Sequence, residues 1–221
     1  MQRRIVSLFA GSALLVATVL AAGGAAVASV APAALSGVAP VPLARVLSGV
    51  SFATPPTTAQ CEKQLHIACY APFQYHKAYN LAPLYKKGFD GKGQTIVIVD
   101  SFGYQFIRGE LAIFDKSFGL PAPPSFKIIR PAGPVPPYNP KKRPAMTGWA
   151  QETSLDVQYA HAMAPGANIL LVETPVAETL GVHGFPQIVK AENYVVSHHL
   201  GSVITQSFAR RSRPSRTRSR S

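Results

Sequence analysis

Two acids, Glu152 and Asp156, stand four residues apart in the stretch 147–163, TGWAQETSLDVQYAHAM. The stretch carries helical period, with Thr147 as its N-cap and a stop at Ala164-Pro165-Gly166. Wound at about 100° per residue, it puts Trp149, Glu152, Asp156, Tyr159, Ala160 and Met163 on one side and Gln151, Ser154, Gln158 and His161 on the other. The polar side is complete without the two acids, which fall in the apolar and aromatic stripe. Carboxylates at i and i+4 are neighbours on a helix, roughly 5–6 Å apart at Cβ. Against an apolar wall each disfavours ionisation of the other, and the pair titrates together. That arrangement makes a general base that works in acid. The plainer alternative is that Glu152 complements the positive helix N-terminus and Asp156 is solvated.

The elements around this helix read as α/β. Ile169 to Val172 is a short buried strand directly after it. Thr95-Ile-Val-Ile-Val99 is a second, rich in β-branched residues, and ends in Asp100-Ser-Phe-Gly103. Residues 105–120 and 185–200 read as helices, and Ser202 to Phe208 as a third strand. Residues 121–146 are dense in proline, contain Lys141-Lys142-Arg143, and read as a long irregular loop. Asp100 ends a strand, but no His-Gly-Thr-His setting follows to complete a triad, so its expected work is to hold loop amides. Ser101 and Ser207 lack the Gly-x-Ser-x-Gly elbow of a hydrolase nucleophile.

The run Glu152-Thr-Ser-Leu-Asp156, followed by Tyr159-Ala-His-Ala-Met-Ala-Pro-Gly-Ala167 and the Ile169 strand, resembles the sedolisin, or serine-carboxyl peptidase, family. The resemblance covers roughly residues 70–208. It implies a subtilisin-like parallel sheet with the site at the strand carboxyl ends. It implies Glu152 as the general base for a serine and Asp156 as the residue that orients Glu152. It places Glu173, Thr174 and Pro175 along the unprimed side of a peptide cleft, Glu173 being otherwise an ordinary exposed strand-end acid. It places Ser207 and Phe208 in a Ser-aromatic-Gly substrate-binding turn, although Ala209 stands where that glycine would be. The implied function is that of a secreted serine-type endopeptidase acting on peptide or protein substrates.

Composition sets the rest. Residues 1–28 read as a secretory signal: Arg3 and Arg4, an apolar core from Ile5 to Leu20, and Ala26-Val27-Ala28 before the cut. No membrane attachment is expected once it is removed. Residues 29–60 read as an Ala/Pro-rich linker without sustained period. Cys61 and Cys69, the only cysteines, are expected to pair in an exported protein. The formal charge is +12, but six arginines lie at 210–220 and two at positions 3 and 4. The body is only mildly basic, and a nucleic-acid partner is not expected.

From Ala209 the composition turns to Arg and Ser, which predicts a disordered tail over 209–221. The resemblance therefore predicts an incomplete domain over 61–208. The family's nucleophilic serine, its oxyanion aspartate and its C-terminal calcium site have no match here, so the chain as written is expected to be inactive, with no cofactor of its own. The alternative is a non-catalytic exported fragment, or a binding protein whose Arg/Ser arm meets acidic surfaces.

Overall fold

The structure is a computed structural model and describes residues 40–41, 52–177, 185–207 and 209–210. The chain divides into two units, 1–34 and 35–221; the first, with the expected signal, lies outside the described residues, and every element below belongs to the second.

Four parallel strands form the central sheet in the order β3-β4-β2-β5: β2 Thr95–Ser101, β3 Phe126–Ile129, β4 Asn168–Thr174 and β5 Val203–Thr205. β2 and β4 pair over their full lengths, with Asp100 opposite Glu173 and Ser101 opposite Thr174. The chain alternates strand and helix, through α4 Ile107–Phe118, α5 Ala145–Met163 and α6 Phe185–Ser197. Parallel neighbours require such crossovers, which cover both faces of a sheet.

Strand alternation assigns the faces. Val97, Val99, Leu170 and Val172 pack with Ile188, Ala191 and Val195 of α6. Ile98, Ile169 and Leu171 pack on the other face with Ile107 and Leu111 of α4 and Val157 of α5. By the same two-residue period, Asp100 and Glu173 point to the α4 and α5 face. The segment leaving β2 goes to α4 on one face, and the segment leaving β4 goes to α6 on the other. A crevice therefore opens between the carboxyl ends of β2 and β4, where open α/β sheets hold their ligands.

Several elements depart from the sequence-based expectation. The loop read over 121–146 contains β3, whose Ile128 packs into the α4 and α5 core. The stretch read as linker ends in α1, Thr58–Leu65, capped by the Thr57 hydroxyl on the Gln60 amide. Two short helices, α2 Pro72–Ala78 and α3 Ala82–Lys86, lead into β2. In the segment read as a tail, β6 Ala209–Arg210 pairs antiparallel with β1 Pro40–Val41; residues beyond 210 lie outside the described residues. Helix α5 starts at Ala145 rather than after Thr147, with Pro144 as N-cap. Cys61 and Cys69 form the expected disulfide.

Candidate active site

Helix α5 carries the site. Its buried side runs through Met146, Trp149, Ala150, Thr153, Val157 and His161, with Glu152 on the flank of that stripe. The stripe is turned by about a quarter of the helix circumference from the one the sequence pattern gives. The cause is that buried polar residues, Thr153 and His161, occupy core positions. His161 is the clear correction: assigned to the polar side, it is 0% exposed. Its Nε2 lies 2.7 Å from the Pro121 carbonyl oxygen and 3.5 Å from Asp115 on α4.

Glu152 is 0% exposed, and Asp156, one turn further on, is half-buried. Both face the end of β2, where Asp100 is also 0% exposed. Burial pushes the Asp100 carboxyl well above the usual carboxylate range, and the nearby charges of Asp156, Glu152 and Glu173 push the same way. The Thr153 hydroxyl beside it partly opposes the rise without forming a hydrogen bond of ordinary geometry. Burial raises Asp156 to about 6, and the Ser207 hydroxyl beside it acts in the opposite direction. Among the described residues, both Asp100 oxygens, Thr153 Oγ1 and Trp149 Nε1 are buried without a hydrogen-bond partner. Native interiors rarely leave such groups unmatched, and clusters of them mark working sites.

The turn after β2 is sharp. Phe102 sits at φ 59° and Gly103 at φ 65°. A bulky side chain in the left-handed region costs of order 1–3 kcal/mol and persists where the surroundings impose it. Here the Phe102 amide donates to the Thr174 carbonyl oxygen at 2.8 Å, and the Phe102 ring packs with Met146 and Trp149. Gly103 is required for a second reason: a Cβ there would collide with the Glu173 carboxyl.

Glu173 is not an exposed strand-end acid. Its side chain is 2% exposed, and one of its oxygens receives Arg130 Nε and Nη2, each at 2.7 Å. Burial raises its pKa, while Arg130 and the Tyr104 amide lower it in part. Thr174 is buried, with its hydroxyl 3.4 Å from the Asp100 carbonyl oxygen. Pro175 stands near Gly133. Ser207 adjoins Asp156, and Phe208 lies outside the described residues. The structure thus brings Glu152, Asp156, Glu173 and Ser207 to one end of the sheet and adds Asp100, Thr153 and Arg130, to which sequence reasoning gave no role in the chemistry. The strand-end position of Asp100 was the available signal. Arg130 had none, because β3 itself went unread.

No group of three or more His, Cys, Asp or Glu side chains among the described residues is placed to hold a metal ion.

The fold and the site together define an open parallel α/β sheet with a buried acidic cluster at its carboxyl end. No known family's sequence model matches the chain, and no curated protein does. Among solved structures, the chain is similar to a Pseudomonas sedolisin, a serine-carboxyl proteinase, complexed with two molecules of pseudo-iodotyrostatin. The match has a TM-score of 0.38 at 22% identity and covers 50% of this chain. The chain spans only 28% of that sedolisin's length. What the site does rests on its own residues.

Proposed function

We propose that this chain carries the acid–base half of a serine-carboxyl peptidase site, of the kind that acts on peptide or protein substrates outside the cell, and that as written it lacks the nucleophilic half. The observation that carries the reading is the fully buried Glu152, set with Asp156 against Asp100 at the carboxyl end of β2. Burial together with the charges of Asp156 and Glu152 disfavours ionisation of Asp100. Glu152 is the member assigned to take a proton from an attacking hydroxyl and return it to the leaving amine. Asp156 orients Glu152, and Asp100, whose ionisation is disfavoured, lies beside them. An unperturbed carboxyl titrates near ~4 against ~6.5 for His, so such a base stays usable at pH values that silence an imidazole. The nucleophilic hydroxyl and the oxyanion donor are assigned to no residue of this chain. Export is supported by the signal-like residues 1–28 and by the Cys61–Cys69 disulfide. No described helix is long and apolar enough to cross a membrane.

The test is hydrolysis of an acid-denatured protein by the purified chain across the acidic range, beside Glu152→Gln. Cleavage that Glu152→Gln reduces by about 100-fold or more supports the assignment. Cleavage indifferent to Glu152→Gln overturns it. Absence of cleavage with retained peptide binding places the missing hydroxyl outside this chain.

A further inference from the structure

A cavity of about 160 Å³ opens beside the carboxyl cluster, at the ends of β2, β3 and β4. Gly103, Arg130 and Glu173 contribute from the strand ends, Met146 from α5, and residues 135–138 form an apolar wall. Among the described residues, Arg130 and Glu173 are the only charged ones lining it.

This ion pair is polarised by its burial. Glu173 is 2% exposed and Arg130 is 52% exposed, so the pair turns its positive end outward. A guanidinium offers five N–H donors. Glu173 takes one from Nε and one from Nη2, and no described residue bonds to Nη1. The pairing also fixes the guanidinium in place, so little freedom is left to lose when a ligand arrives. The surroundings reinforce the sign. Lys190 Nζ lies 3.4 Å from the Ala132 carbonyl oxygen, on the loop that leads from Arg130 to the cavity wall. Lys141, Lys142 and Arg143, all exposed, follow Tyr138 of that wall.

Position links the cavity to the chemistry. Met146 and Glu152 share α5, six residues apart, which is about 9 Å along a helix axis. An extended peptide covers that distance in about three residues.

We infer that Arg130 is the specificity-determining residue of a subsite for an acidic side chain, aspartate or glutamate, of the peptide substrate. The inference rests on the reading of the crevice as a peptide cleft. A planar fork with free N–H groups beside apolar walls selects carboxylates over isosteric amides, and a charge-assisted hydrogen bond is about twice as strong as a neutral one.

The experiment is calorimetric titration of the full chain at low salt near pH ~6, where a peptide glutamate is ionised. The probes are three acetylated and amidated pentapeptides, alanine throughout except for a central Glu, Gln or Lys. The Glu peptide is expected to bind about tenfold tighter than the Gln peptide, and the Lys peptide weakest. Arg130→Gln is expected to bind all three alike. Should that variant fail to fold, Arg130→Gln combined with Glu173→Gln removes both charges at once and leaves a neutral hydrogen-bonding pair. Equal binding of the Glu and Gln peptides to the unaltered chain, or a preference that survives loss of Arg130, overturns the subsite and leaves the cleft standing. If none of the three peptides binds, the cleft falls and the subsite with it.

Discussion

Helix α5 buries two acidic settings, one at its middle and one near its C-terminus, and the two are built on opposite terms. Towards its C-terminus, His161 faces Asp115: burial raises the Asp115 carboxyl, and the imidazole beside it pulls it back. His161 also pins the Pro121 carbonyl, which ties the segment after α4 to the helix. At its middle, Glu152 and Asp156 meet Asp100, and the charges of the two raise Asp100 further. Complementary groups of the first kind hold a fold together. Like groups of the second kind oppose folding, and a protein keeps them where it needs a proton that moves.

Four experiments break or sharpen this contrast. The largest effect belongs to Glu152→Gln, which is expected to lower acid peptide hydrolysis by about 10²–10⁴-fold in any form of the protein that cleaves, with thermal stability unchanged or raised. His161→Ala is expected to show the reverse. It leaves a buried void and strips partners from Asp115 and the Pro121 carbonyl, at a cost of about 3 kcal/mol read from urea unfolding. A His161 variant that folds normally yet alters the pH profile of hydrolysis would dissolve the distinction between the two settings.

Asp100→Asn tests the sign of the carboxyl cluster. Because the folded-state pKa of Asp100 lies above its unfolded value, its contribution to stability is fully present below ~4 and is lost as pH rises through the folded pKa. The amide removes that loss. It is expected to stabilise the protein at pH ~7 and to leave stability unchanged at pH ~4, read from urea unfolding at the two pH values. The smallest effect is on Asp156, whose titration near 6 is readable by carbon NMR. Ser207→Ala is expected to move it upward by a few tenths of a unit, since the hydroxyl beside it favours the anion.

What the sequence made legible follows from what each segment had to bury. β2 and β4, covered on both faces, read as continuous apolar runs, and α4 ends where Gly119 takes the left-handed turn that its type allows. Glu152 and Asp156 stood out because acids are costly in an apolar stripe. β3 was hidden by brevity and by the prolines on either side of it. The rotation of α5 was hidden because Thr153 and His161 lie against Asp100 of β2 and Asp115 of α4, neighbours that a single helix's pattern does not contain. Arg130 shared the fate of its strand. Pairings made across the sheet are invisible to periodicity along it.

The closeness of Gly103 to Glu173 links two positions that are distant along the chain. A methyl group at the first can be accommodated only after the acid at the second has been shortened or displaced, and Arg130 then loses its anchor. Divergent copies of this chain should therefore exchange these three residues together, so that a change in ligand preference arrives as a single step rather than by gradual drift.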